Sequence, residues 1–295
     1  MAANENTKHI NWKNFRETSM KYVFLAAACV SILAVALICV FLFANGIPAI
    51  SEIGIVKFLL GRTWKPGNNL YGIFPMIIGS IYITAGAIAV GVPVGLLTAV
   101  FLAKYCPKKI YGILKTMIDL LAGIPSVVYG FFGMVVIIPF VRNVFGGKGS
   151  SILTASLLLG MMILPTIIST AEASIRAVPE SYYEGSLALG ATHERSVFCS
   201  MLPAAKSGIM AGIILGIGRA IGETMAVIMV AGNQARITGD ILKGIRTLTA
   251  NIVLEMGYAT DLHREALIAT GVVLFVFILI INLLFSIVKM RGERN

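Results

Sequence analysis

Charge is scarce in this 295-residue chain: Asp, Glu, Lys and Arg make up 13% of it, against 57% hydrophobic residues. Soluble globular domains carry roughly a quarter charged residues, so an ordinary soluble enzyme is excluded. Disorder is excluded as well, because it requires low hydrophobicity. Histidine is nearly absent, with three residues, none inside an apolar run. Neither GxSxG nor HExxH occurs, so no hydrolase chemistry is expected within a membrane. The phosphate-cradling pattern GxxxxGK[ST] is missing too, and any nucleotide-driven work must come from another chain. Cys29, Cys39, Cys106 and Cys199 show no metal spacing. A structural disulfide would need an oxidising compartment, so they read as small apolar fillers. The net charge is +10, but a nucleic-acid binder concentrates basic residues on a solvent face. This chain has too little solvent face for that, and nucleic acid is not an expected partner.

What is present is apolar sequence in long runs. A spanning helix needs about 20 mainly apolar residues, and six stretches qualify: Tyr22–Phe43, Ile73–Leu102, Ile113–Val141, Ile152–Ala171, Gly208–Gly232 and Ala266–Val288. The expected fold is an all-α polytopic membrane protein with six transmembrane helices. Its organisation is an N-terminal arm over 1–21, a spanning domain over 22–288 and a tail over 289–295. Gly91-Val92-Pro93 and Gly123-Ile124-Pro125 are expected to kink spans two and three, since neighbouring helices can satisfy the backbone groups such breaks release. The first run is too long for the apolar core of a signal peptide and reads as an anchor. Basic residues set orientation. Fourteen fall on the side of both termini, including Arg16, Lys21, Lys104, Lys115 and Arg176, and nine on the other, including Lys57, Arg62 and Arg246. Both termini are therefore expected in the cytoplasm. No internal repeat is evident.

The connection between spans four and five, 172–207, is the most informative. Pro179 suits a first helical position and Gly190 a left-handed stop. Thr192 suits the cap of a second helix reaching Leu202, with Pro203 ending it. The net charge of this loop is −1, from Arg176, Arg195 and Lys206 against Glu172, Glu180, Glu184 and Glu194. A helix lying on lipid headgroups usually carries an excess of Lys and Arg, so a helical hairpin that meets a protein partner is the better reading. Glu184, Gly190 six residues later, and Leu202-Pro203 resemble the EAA loop of binding-protein-dependent ABC importer permeases. Gly185 and Ser186 depart from that loop's two alanines, and Ser200 from its isoleucine. The resemblance implies a MetI-like permease fold in which this hairpin docks in a groove of an ATPase subunit. Glu184, Gly185, Ser186, Gly190, Leu202 and Pro203 would be the coupling residues.

Span five carries Arg219 and Glu223 near its middle, each costing roughly 2.5–3.5 kcal/mol at such depth on insertion scales. Residues four apart share a helix face, so the two are expected to pair and to face a protein or water interior together. Gly216, Gly218, Ala220, Gly222 and Ala226 around them allow close packing or approach of a solute. A buried pair that only fixes packing is the plainer alternative. An intramembrane charge is by default a functional hypothesis, and an Arg fork suits an oxyanion. GRAIGETMAV here, GIPSVVYGFFG in span three and YITAGAIAVGVPVGLLTAVFLAKY in span two together resemble the phosphate-importer permease family of the PstC type, over nearly the whole chain after Ile47. Thr224-Met225-Ala226-Val227 after the Glu favours that type over its sister permease.

The resemblance implies uptake of inorganic phosphate across the bacterial inner membrane. It implies a heterodimer with a sister permease, two ATPase subunits that use ATP and Mg, and a periplasmic or surface phosphate-binding protein. No cofactor or metal is expected in this chain, and no catalysis. Arg219, Glu223 and Thr224 are the expected pathway residues, joined by Ser80 and Thr84, although back-bonding to their own helix is the plainer role for those two hydroxyls. Another oxyanion such as phosphonate or sulfate, or an ion-gradient-driven carrier, remains open. Asp119 reads as favouring a helix N-terminus, and His263, between Asp261 and Glu265, as a solvated helix start. Trp64 and Tyr71 read as an interfacial belt.

Overall fold

The structure, a computed structural model, describes residues 5–294. The side chains of 5–11, 13, 14, 285 and 288–294 lie outside that description. With them lie the expected basic markers Lys8, Lys13, Lys289, Arg291 and Arg294. The chain is helical nearly throughout. α1 (Glu5–Ile53) is a single helix, so the expected arm and first span are continuous. After Gly54 come α2 (Ile55–Leu60) and a two-stranded hairpin, β1 (Trp64–Lys65) and β2 (Leu70–Tyr71), with Trp64 opposite Tyr71. α3 (Phe74–Val100) runs through Pro93 without interruption and ends in a π-helical turn, Phe101–Tyr105. α4 (Lys108–Gly123) precedes α5 (Ser126–Phe132), a π turn over Gly133–Ile137 and α6 (Ile138–Phe145). α7 (Ile152–Arg176) starts where the Ser151 side chain accepts the Thr154 N–H, a normal N-cap. Then follow α8 (Glu180–Ala188), α9 (His193–Ser196), a π turn over Val197–Met201, α10 (Leu202–Ala204), α11 (Lys206–Gly222), α12 (Met225–Val230), α13 (Leu248–Met256) and α14 (Asp261–Arg294).

Two expected spans change. Pro125 forces Ile124 out of the helical region, to φ −69° and ψ 126°. The expected third span, Ile113–Val141, is therefore not one kinked helix. α4 stands apart, and the apolar crossing is Ser126–Phe145. Asp119 consequently lies in the second half of α4, bridged to Lys115 at 3.6 Å, not at a helix start. The fifth span breaks at Glu223, as described below. Among the described residues five helices are long and apolar enough to cross a membrane, and the bent pair His193–Ala204 and Lys206–Gly222, counted as one span, makes the expected six. α11 and α12 together run antiparallel to α7 along its length: Gly208 abuts Ser174 near one end, and the Ser151 N–H donates to the Val230 carbonyl at the other.

α7 is the axis of the molecule. Two-thirds of its most apolar stretch is buried, whereas none of α1's is. Helices gain no hydrophobic drive from one another in lipid, so close backbone approach through small residues holds them. On α3, Cβ atoms at Gly86, Gly91 and Gly95 would collide with Ser156, Ile163 and Ile167 of α7. On α11, Gly208 and Gly212 meet Ser174 and Thr170 in the same way. α1 attaches through α14, where Gly46 abuts Ala269 and Val272 and Phe43 stands edge-on to Phe275 at 5.9 Å.

The hairpin end of the bundle departs from expectation. Trp64 and Tyr71 are not a lipid-facing belt: both are buried and lie edge-to-face at 5.8 Å. His263 is not solvated. It is half-buried, and its Nε2–H donates to Glu255 Oε2 at 2.9 Å. The same oxygen accepts the Trp64 indole N–H at 2.8 Å, and Glu255 Oε1 accepts from Arg246. A buried carboxylate is tolerable when its lone pairs are filled by donors, and this one knots the hairpin, α13 and α14 together.

Candidate functional site

Arg219 and Glu223 do not share a helix face. α11 ends at Gly222; Glu223 is extended at φ −69° and ψ 132°, and α12 begins two residues later. Among the described residues the two form no ion pair. Backbone electrostatics explains the arrangement. Helix C-termini favour cations and N-termini favour anions. Arg219 occupies the last turn of α11, while Glu223 Oε1 accepts the Ala226 N–H at 3.2 Å in the first turn of α12. The break thus places each charge at the helix end it complements.

The small residues around the pair divide into two sets. Gly216, Ala220 and Ala226 are packed inside. A Cβ at Gly218 or Gly222 would meet nothing within 4 Å. Together with exposed Leu215 and Arg219, these two glycines form an open face of α11 at the depth of the break. The Thr224 hydroxyl donates to the Gly222 carbonyl at 3.2 Å. Ser80 does not back-bond to its own helix. It is buried, and its Oγ accepts the Leu248 N–H at 3.0 Å. Thr84 lines an apolar cavity of about 160 Å³ with Ile81, Ile217, Ile221 and Phe277. Among the described residues neither hydroxyl bonds to Arg219 or Glu223.

Sequence reasoning missed α13, which folds back from the 231–247 segment and reaches the break. The Thr249 hydroxyl donates to the Glu223 carbonyl at 3.0 Å. The run Thr247-Leu248-Thr249-Ala250 carried a usable signal, since Thr247 is an N-cap that accepts the Ala250 N–H.

At the other end of the bundle the 172–207 loop forms the expected helical hairpin. Gly190 turns the chain at φ +85°, a conformation that costs glycine little. Thr192 caps α9, and the Glu194 backbone N–H, followed by the Thr192 hydroxyl, holds the Glu194 carboxyl below its ordinary range. Pro203 does not end the helix, which continues to Ala204 and then bends by 70° into α11. Glu184, Gly185, Gly190 and Pro203 are exposed, Ser186 and Leu202 half-buried. Leu189 is 92% exposed. α8 buries none of its residues, so this helix is displayed. It is nonetheless anchored from below. Tyr183 Oη lies 2.7 Å from His193 Nδ1, His193 stacks edge-on against Tyr105 at 4.7 Å, and Lys104 bridges to Glu180 at 3.3 Å. Glu172, counted in the loop's acidity, is buried against Tyr111, Lys115 and Arg176. It presents no charge to a partner.

Residues 91–291 match the family of binding-protein-dependent transport system inner membrane components. A probable ABC transporter permease protein, YqgH of Bacillus subtilis, is 36% identical, over 92% of this chain and 91% of its own. The phosphate transport system permease protein PstC of Mesorhizobium japonicum is 32% identical, over 90% and 88%. Among solved structures, an inward-facing MetNI methionine ABC transporter superposes at a TM-score of 0.62 with 19% identity, covering 78% of this chain and 99% of that one. At that identity the likeness shows the fold alone.

Proposed function

Because the chain belongs to the binding-protein-dependent transport system inner membrane components, we propose that it is the membrane-spanning permease subunit of an ATP-driven importer of inorganic phosphate. The observation that carries this reading is the broken fifth span. The Arg219 guanidinium, without an ion-pair partner among the described residues, stands on an open, glycine-lined face of α11. Its planar fork donates several fixed hydrogen bonds, which suits a tetrahedral oxyanion. Glu223 lies at the break itself, and its charge opposes retention of the anion. Conduction requires such binding, favourable enough for entry and weak enough for exit.

The open face of α11 is where a sister permease would complete the pathway. The displayed hairpin α8–α9 is where an ATPase subunit would dock, one beneath each permease. ATP and Mg would be consumed there, outside this chain. A phosphate-binding protein would deliver solute at the opposite end, that of the β1–β2 hairpin. That end is extracytoplasmic if the basic bias places both termini in the cytoplasm. The test is phosphate uptake by membrane vesicles holding the full complex. Uptake should stop on ATP depletion with ion gradients intact, and excess sulfate or phosphonate should not compete. Uptake that persists without ATP would overturn the importer reading, and competition by sulfate would overturn the choice of phosphate.

A further inference from the structure

We infer that α13 is the positioning element that holds span five broken, with Thr249 as its contact residue. The inference rests on the reading of Arg219 and Glu223 as pathway groups.

The hydroxyls at the start of α13 leave little freedom in how their protons are placed. The Ala250 N–H donates to Thr247 Oγ1 at 3.2 Å, which uses an acceptor site on that oxygen. Thr247 Oγ1 and Thr249 Oγ1 lie 3.0 Å apart. Thr249 Oγ1 lies 3.0 Å from the Glu223 carbonyl, which can only accept, so the Thr249 proton points there. The Thr247 proton must then point to Thr249. The result is one directed chain, Ala250 N–H to Thr247 to Thr249 to Glu223 C=O, in which each bond polarises the next. All four residues except Glu223 are buried.

α13 has anchors on elements other than span five. The Leu248 N–H is held by Ser80 Oγ of α3 at 3.0 Å. Only glycine at position 79 lets the chain at Arg246 approach α3, since a Cβ there would lie 2.3 Å from the Arg246 carbonyl oxygen. The other end of α13 carries Glu255, which is tied to Arg246, Trp64 and His263. A helix anchored at both ends to α3, the hairpin and α14 therefore presents one hydroxyl to the extended residue between α11 and α12. In a chain without that hydroxyl, residues 220–226 keep only the Glu223 cap on the Ala226 N–H and lose the second bond that favours the break over a continuous helix. Arg219 and Glu223 would then return to one face and neutralise each other.

The experiment compares Thr249→Val, which keeps the shape and removes the donor, with Thr249→Ser, which keeps the donor. Arg219→Gln serves as the reference, and all are measured in the assembled complex. Thr249→Val is expected to slow phosphate uptake about fivefold, the factor equivalent to about 1 kcal/mol for one net hydrogen bond. Thr249→Ser is expected to stay near wild type, with subunit yield unchanged in both. Wild-type uptake by Thr249→Val while Arg219→Gln is inactive would overturn the role of Thr249 alone. Wild-type uptake by Arg219→Gln would overturn the pathway reading itself. Equal loss in Thr249→Ser and Thr249→Val, or failure of Thr249→Val to assemble, would mark Thr249 as a packing residue and also overturn the inference.

Discussion

Arg219 sits where the carbonyls of α11 run out, and its side chain is exposed with no acidic partner among the described residues. A lone guanidinium at this depth is costly, and its position at a helix C-terminus recovers only part of that cost. Arg219→Gln should therefore fold at least as well as the wild type yet transport at least about tenfold more slowly, because one charge-assisted hydrogen bond is worth about 1.5–3 kcal/mol. Radiolabelled phosphate uptake normalised to complex yield checks this. The two charged residues were legible from the sequence because charges are so rare in the apolar runs. Their relation was not. Spacing of four implies a shared face only in a continuous helix, and the Thr249 hydroxyl, distant in sequence, meets the chain at Glu223 instead.

The glycines of α11 divide by what lies opposite them. A Cβ at Gly212 would stand 2.9 Å from Thr170 Cβ, while one at Gly218 meets open space. Gly212→Val should lower the thermal midpoint of the purified chain in detergent, since overpacking of this kind costs about 1–3 kcal/mol. Gly218→Val should leave that midpoint unchanged but reduce co-purification of the sister permease, because it fills the face proposed to meet it. The α8–α9 hairpin makes a complementary case. Glu184 is exposed on a helix that buries nothing, so Glu184→Lys should spare folding and weaken retention of the ATPase on affinity purification; full retention would remove it from the docking surface. The hairpin itself was readable from Pro179, Gly190 and Thr192, all residues with strong local preferences. Its end at Pro203 was misread because a proline in the first turn of a helical segment is tolerated.

Across the whole molecule, the hairpin and the break lie at opposite ends of α11, which turns by 70° at Ala205 where it leaves the hairpin. The anchor under the hairpin, Tyr183 and Tyr105 around His193, also ties it to the end of α3. Movement of the docked hairpin would thus reach both helices that flank α7. His193→Ala should loosen that tie and raise the ATP hydrolysed per phosphate imported severalfold while the subunits stay assembled. An unchanged ratio would show that α11 alone carries the motion.

Composition and apolar run length by themselves determined that the chain is a helical membrane protein, because the length of a span and the rarity of charge are imposed by the bilayer. Local chemistry determined the hairpin, through residues whose backbone preferences need no tertiary help. The tertiary structure alone decided that α7 is the axis, that Trp64, Tyr71 and His263 are enclosed, and that span five is broken. Each of these depends on groups far apart in sequence, such as Glu255 with Trp64 and Thr249 with Glu223. Scarce charge is what the sequence shows; where each charge points is decided by those distant partners.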